Sequence, residues 1–177
     1  MRYLAFVSVL LLFPSLLSAQ STHSHQIFVR AGVVNLWDDE GRIGSGPSIG
    51  GGAGIRLVHG IGIEGLVERH VTDRHFSSGV SFRSTVVAAA ARVVKYVGTS
   101  LAQPYAGGAV GVARIKTFSE FPGFPNNERR VTSGTVSGFT GVRIAAGRGA
   151  VLRPEVELLR AGEHLRIAGS VMAGVAW

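Results

Sequence analysis

Polar and apolar residues alternate along most of this chain, and the clearest stretch is its last fourteen residues, His164 to Trp177. One side of the stretch is apolar and holds Leu165, Ile167, Val171, Ala173, Val175 and Trp177. The other side begins with His164 and Arg166. A period of two is that of a β-strand, whose successive side chains point to opposite faces. An unpaired apolar strand at the edge of a sheet is prone to aggregate with other chains. The pattern therefore favours a closed barrel in which this strand pairs with the first.

Seven further segments show strand character, which makes eight in all. The eight cover residues 26–36, 48–59, 61–71, 81–97, 103–116, 131–146, 150–160 and 164–177. The fourth is the least regular, because it contains the run Ala88 to Ala91. Mean hydropathy is +0.29, yet Arg92 interrupts the longest apolar run, Val86 to Val94. Since only helices of about 20 apolar residues or closed barrels cross a bilayer, the pattern predicts an all-β fold: an eight-stranded antiparallel up-and-down transmembrane β-barrel.

The connections between these segments alternate in length. Long polar ones are expected at Trp37–Pro47, Thr72–Val80 and Thr117–Arg130, and short ones at His59–Gly60, Gly98–Ala102 and Gly147–Gly149. The last connection, Ala161–Glu163, is short where a long one is expected. Long loops on one side and tight turns on the other are typical of outer-membrane barrels, with the turns in the periplasm. Both chain ends are then periplasmic.

Residues 1–19 have the features of a secretory signal peptide. Arg2 precedes the apolar core Leu4–Leu17, and Ser18-Ala19 offers a small-residue cleavage site. This apolar segment is shorter than the stretch that a transmembrane helix needs to span a bilayer. The barrel domain is therefore expected to span residues 20–177.

Composition narrows the function further. The chain has no Cys, so the fold depends on its core or on a surrounding bilayer rather than on disulfides. The formal charge of +7 comes mostly from single Lys and Arg residues spread along the strands. That pattern and the export signal argue against a nucleic-acid partner. The histidines match no metal-ligand spacing, and no cofactor is implied.

Charged residues on the polar faces are expected to lie inside the barrel. They are Arg30, Arg56, Glu64, Glu68, Arg143, Arg153, Glu155, Glu157 and Arg166, with Arg114 as a further candidate. The lumen of an eight-stranded barrel is just wide enough for side chains to fill. Because an unpaired buried charge is very costly, the glutamates are predicted to pair with Arg30, Arg56, Arg153 and Arg166 in a plug. This interpretation is favoured over acid–base catalysis and argues against a wide diffusion pore.

Aromatic residues near the strand ends are expected to form girdles at the membrane interfaces. Tyr96, Tyr105 and Trp177 fall at the turn side. Trp37, Phe82 and Phe118 fall at or near the loop side.

The signal peptide, the eight alternating segments and the terminal aromatic strand resemble the small outer-membrane β-barrel family of the OmpA and OmpX type. The resemblance covers the mature chain. It implies a location in the cell outer membrane and a structural or surface-interaction role rather than an enzyme. The implied partners are outer-membrane lipids, the barrel-assembly machinery through the C-terminal strand, and an extracellular ligand through the loops. The chain departs from the family in its short last connection, its few aromatic residues and its run of alanines.

Two alternative functions remain open. His75-Phe-Ser77 has the His-x-Ser spacing of outer-membrane lipid A deacylases, in which His75 would act as base for Ser77. The stretch lies mid-chain, however, and no acidic residue follows Ser77 until Glu120. The other alternative is a soluble secreted barrel that binds a small apolar ligand, with its apolar faces pointing inward.

Overall fold

The structure is a computed structural model that describes residues 25–38, 41–75, 79–98, 100–122, 127–147, 149–162 and 164–177. The predicted signal peptide, residues 1–19, lies outside them. The strands are β1 (His25–Asp38), β2 (Gly41–Arg56), β3 (Ile61–His75), β4 (Ser81–Tyr96), β5 (Ala102–Glu120), β6 (Asn127–Ala145), β7 (Ala150–Ala161) and β8 (His164–Ala176). One 3-10 turn, Val58–Gly60, joins β2 to β3. No helix in this part of the chain is long and apolar enough to cross a membrane.

Each strand pairs antiparallel with the next, and the sheet closes on itself. The closing seam joins β1 to β8, from the pair Gln26 and Ala176 to the pair Trp37 and Leu165. Backbone hydrogen bonds between His25 and Trp177, both 3.0 Å long, extend the seam to the last residue. The predicted eight-stranded up-and-down barrel is thereby confirmed. We call the end that holds both termini of the barrel the turn side, and the opposite end the loop side.

The two faces of the barrel wall differ sharply in polarity. Outward-facing valines and isoleucines are largely exposed, as Ile49, Val29 and Val110 show with exposed fractions of 68%, 65% and 64%. Inward-facing Arg30, next to Val29, is 1% exposed. A soluble barrel with a ligand cavity would need the reverse arrangement, apolar inside and polar outside. The alternative of inward apolar faces is therefore wrong for the barrel as a whole.

The predicted long connections Trp37–Pro47 and Thr117–Arg130 are mostly strand, and β3 continues through Thr72–His75 of the third, which corrects the sequence interpretation. Residues 39–40 alone separate β1 from β2, and residues 76–80 and 121–126 separate the next two loop-side hairpins. Alternation is lost in these stretches because both of their faces are polar or glycine-rich, yet the backbone ladders continue. Gly46 illustrates how they pair closely, since an added Cβ there would collide with the carbonyl oxygen of Val71. Because about 9–11 residues suffice to cross a bilayer, the 19-residue strands β5 and β6 are long enough to project beyond one.

Glycines at inward positions make room for aromatic rings in the lumen, and Gly107 offers a test. An added Cβ at Gly107 would collide with the carbonyl oxygen of Val93 and lie 2.5 Å from Cζ of Phe139. We expect Gly107→Ala to destabilise the barrel by about 1–3 kcal/mol, because neighbouring backbone cannot move aside freely. Urea unfolding in phospholipid vesicles would measure it. The control is Gly134→Ala, where nothing lies within 4 Å of the new Cβ; an equal loss there would contradict the explanation.

Candidate functional site: the charged lumen

Eight charged side chains fill the middle of the barrel, and their formal charges cancel. They are Arg30, Arg92, Arg153, Arg166, Glu64, Glu68, Glu155 and Glu157, each no more than 4% exposed. They come from β1, β3, β4, β7 and β8, so the network ties together strands that are not neighbours in the sheet. We call these eight residues the lumen network.

The half of the lumen network nearer the turn side crosses the barrel. Arg153 donates to Glu64 at 2.6 Å, joining β7 to β3 on the opposite wall. Arg92 also pairs with Glu64, at 3.4 Å, and forms a short ion pair with Glu155. These contacts occupy the centre of the lumen rather than its wall.

The half nearer the loop side is a ring of two arginines and two glutamates. Arg30 pairs with Glu157 at 2.7 Å and with Glu68 at 3.0 Å. Arg166 pairs with Glu157 at 2.9 Å and also with Glu68. Each carboxylate is therefore shared between two guanidinium groups, as the desolvation of buried charges requires. Arg30 also lies 3.5 Å from Glu155, which links the two halves.

Aromatic residues complete the network, which corrects the predicted girdle. Tyr96 and Tyr105 are 4% and 2% exposed, and their hydroxyls donate to Glu64 at 3.1 Å and Glu155 at 3.0 Å. The guanidinium of Arg92 lies 3.8 Å from the ring centre of Phe139. Both tyrosines occupy inward positions, so they cannot face the lipid interface.

Of the other predicted girdle residues, Trp177 is 53% exposed and Trp37 is half-buried. Phe82 is also half-buried and lies inward, on the wall of a cavity at the loop side. Phe118 is half-buried as well.

Three predicted lumen arginines lie outside the network. Arg56 and Arg143 lie near the turn side, where Gln103 accepts from them at 3.1 Å and 3.4 Å. The predicted pairing of Arg56 with a glutamate is wrong, since the lumen glutamates are all engaged deeper in the barrel. Arg114 is exposed on the outer surface of β5, because its inward neighbours there are Ala113 and Ile115.

Sequence reasoning also missed Arg92, which it treated only as an interruption of an apolar run. Arg92 is 0% exposed and sits at the centre of the network. Its spacing of four residues from Tyr96 places both on one face of a strand.

The predicted catalytic pair lies largely outside the described residues. Ser77 lies outside the described residues, and His75 is the last residue of β3. The hydrolase hypothesis stays a prediction; a folded Ser77→Ala variant that lost a lipid-deacylating activity would support it. Within the described ranges, no group of His, Asp and Glu side chains is arranged to hold a metal ion.

The loop-side strand ends carry exposed ion pairs on the outer surface. Glu128 accepts from Lys116 at 2.9 Å and from Arg130 at 2.6 Å, and these bonds lower the pKa of its carboxyl. Arg83 donates to Asp73 at 2.8 Å, which raises the pKa of the guanidinium. The depressed pKa of Glu128 means that its contribution to stability is present at neutral pH and is lost as the pH falls through that pKa.

No protein-family profile and no curated protein matches this chain in sequence. Solved structures do match in fold. Neisserial surface protein A (NspA) is 17% identical, with a TM-score of 0.64, over 86% of this chain and 97% of that one. The Yersinia pestis attachment invasion locus protein Ail, solved with the heparin analogue sucrose octasulfate, is 11% identical, with a TM-score of 0.63, over 88% and 99%. The N-terminal barrel domain of Pseudomonas aeruginosa OprF is 11% identical, with a TM-score of 0.53, over 86% and 99%. The chain thus has the fold of the small outer-membrane β-barrels, as the resemblance predicts.

Proposed function

We propose that this protein is an outer-membrane barrel that does not conduct and that acts at the cell surface through its loop-side strand ends. The proposal rests on one combination of features. The outer face of the barrel carries a band of apolar side chains, the outer band, and the lumen is closed by the lumen network. The band supports a place in the bilayer, and the closed lumen supports a role other than passage.

The outer face of β5 shows how the band would fit a membrane. From Pro104 to Val112 its outward positions are uncharged, and Arg114 and Lys116 follow towards the loop side. An outward apolar band about 25 Å tall between polar borders is the mark of outer-membrane barrels. The cations at the border suit an interface that carries phosphate groups.

The loop-side ends of β3 to β7 carry more cations than anions outside the lumen network. The cations are Arg69, Arg74, Arg83, Arg114, Lys116, Arg130 and Arg160, and the anions are Asp73, Glu120 and Glu128. Excess positive charge raises the local concentration of anionic partners and speeds their binding. The fold neighbour Ail is known in complex with a sulfated heparin analogue. An anionic surface partner is therefore the ligand class we favour for this chain.

The location is tested by fractionating expressing cells and comparing boiled and unboiled membranes on a denaturing gel. We expect a band in the outer membrane whose mobility changes on boiling, because the barrel resists detergent until it is heated. In planar bilayers the purified protein should give no stable ion-conducting steps. A soluble protein in the periplasm, or regular conducting steps, would overturn the corresponding half of the proposal.

The absence of Cys in the chain allows the orientation to be measured with single cysteines. We expect Glu120→Cys, at the loop-side end of β5, to react on intact cells with a maleimide polymer too large for porins. Ser100→Cys, at the turn side, should react only after the outer membrane is permeabilised. The opposite pattern would show that the loop side faces the periplasm.

A further inference from the structure

The loop-side end of the lumen holds an open cavity of about 580 Å³ that the lumen network does not fill. One part of its wall is apolar and is formed by Leu36, Phe82, Ile115, Val131 and Ala161. Another part is polar and includes Ser84, Thr117, Asn127, Arg129, Ser133 and His164. The volume lies within the range of about 300–1,000 Å³ that is typical of small-molecule sites.

An apolar layer lies at the base of this cavity, between it and the lumen network. Val86, Ala88, Ala113 and Ile115 form a buried cluster there. Leu159 continues the layer around the wall. The interior of an outer-membrane barrel is ordinarily polar. The floor of this cavity is instead apolar. The apolar surface that a ligand group would cover favourably lies on the wall above it, where Val131 is 39% exposed.

The polar part of the wall supplies the guanidinium group of Arg129 and a ring nitrogen of His164 that has no hydrogen-bond partner. Arg129 lies at the exposed rim, opposite Thr117 in the β5–β6 register, and forms no ion pair within the described ranges. Nδ1 of His164 is buried without a hydrogen-bond partner in the same ranges. Buried polar atoms are nearly always hydrogen-bonded, so an unpaired one on a cavity wall favours a bound molecule or water.

We propose that this cavity binds an amphipathic anion, a small carboxylate with a short alkyl chain. The chain lies against Leu36, Ile115 and the apolar layer, and the carboxylate accepts hydrogen bonds from Arg129 at the rim. Guanidinium groups pair with carboxylates through two parallel hydrogen bonds, which fixes the orientation of the bound molecule. The site is inside the mouth of the barrel and differs from the outer cationic surface, so it stands or falls independently of the surface partner proposed above.

The test uses octanoate as the probe and a single cysteine as the reporter, with the protein folded in phospholipid nanodiscs. Val131→Cys places a thiol on the cavity wall, where Val131 is 39% exposed. A charged methanethiosulfonate converts this thiol to a mixed disulfide and releases methanesulfinate. We expect saturating octanoate to slow this reaction by about fivefold or more, because a bound chain covers the thiol. Glu120→Cys, at the end of β5 outside the cavity, should be unaffected. Equal rates with and without octanoate at Val131→Cys would overturn the proposal.

A second set of variants tests the anion site. On the Val131→Cys background, Arg129→Gln should raise the octanoate concentration for half protection about tenfold, the loss of one charge-assisted pair. Protection by octanol should not change, and Arg129→Lys should retain most of the octanoate protection. Each variant is first shown to fold by its heat-dependent mobility. If Arg129→Gln needs the same octanoate concentration for half protection, Arg129 does not bind the carboxylate, and a neutral ligand replaces the proposed one. If inorganic phosphate protects equally well, the cavity binds a simple anion and the proposal is also overturned.

Discussion

Replacing Glu64 by Gln is expected to destabilise the folded barrel by about 3–5 kcal/mol, the cost of breaking a buried ion pair from one side. Glu64 accepts from Arg153 and pairs with Arg92, and the two arginine side chains are at most 2% exposed. The amide keeps the size of the side chain but removes its charge, so two buried cations lose a shared partner. Urea unfolding in phospholipid vesicles, read by the heat-dependent shift in gel mobility, would measure the loss.

The double variant Glu64→Gln/Arg153→Met tests whether the cost comes from the uncompensated charge. It removes one charge of each sign, so the lumen is neutral again, and an apolar replacement of a buried pair is often close to neutral. We expect it to be more stable than Glu64→Gln alone. A double variant as unstable as the single one would show that the geometry of the network, rather than its charge balance, holds the barrel closed.

Asp73→Asn is the matched control on the surface. Asp73 and Arg83 form a comparable ion pair at 2.8 Å, but their side chains are 42% and 65% exposed. Exposed pairs contribute about 0–1 kcal/mol. A large loss in Asp73→Asn would mean that burial does not set the difference.

The number of strands and most of the lumen network could be predicted from the sequence, because an apolar outer face and a polar lumen impose a strict alternation. Glu155 and Glu157, two residues apart on β7, illustrate this: both point inward, with apolar residues between and beside them. Where both faces of a strand are apolar, the sequence does not show which of the alternate residues point into the lumen. On β5, inward Ala113 and outward Val112 are both small or apolar, so the pattern does not show that Arg114 points outward.

The errors at the tyrosines and at the loops have different physical causes. A place near a strand end is typical of girdle residues, but Tyr96 shares a face with Arg92, and that face points into the lumen. The predicted loop Trp37–Pro47 contains β-paired residues such as Gly44 and Gly46. Outside a bilayer both faces of a hairpin meet water, so its side chains lose the alternation while its backbone keeps the ladder. Distances across the lumen, such as that between Arg153 and Glu64, depend on barrel closure and cannot be read from a local pattern.

An arginine placed in the middle of the outer face distinguishes a barrel in lipid from one in water. Val156, at the centre of the outward positions of β7, is 56% exposed. We expect Val156→Arg to destabilise the barrel in phospholipid vesicles by about 2–4 kcal/mol, because the guanidinium would lie near the bilayer midplane. Urea titration of folding into those vesicles would measure the change.

Ala150→Arg is the control, on the same face of the same strand but at its turn-side end, where Ala150 is exposed. An arginine near the interface reaches the headgroups, so its cost should be only about 0–1 kcal/mol. The natural Arg160, at the other end of this face, fits the same dependence on depth. In water an exposed Val156→Arg would cost little, since surface substitutions usually change stability by less than about 0.5 kcal/mol. Equal and small effects at residues 150 and 156 would therefore contradict a lipid environment for the outer band, whereas a steep difference between them would place Val156 deeper in the bilayer than Ala150.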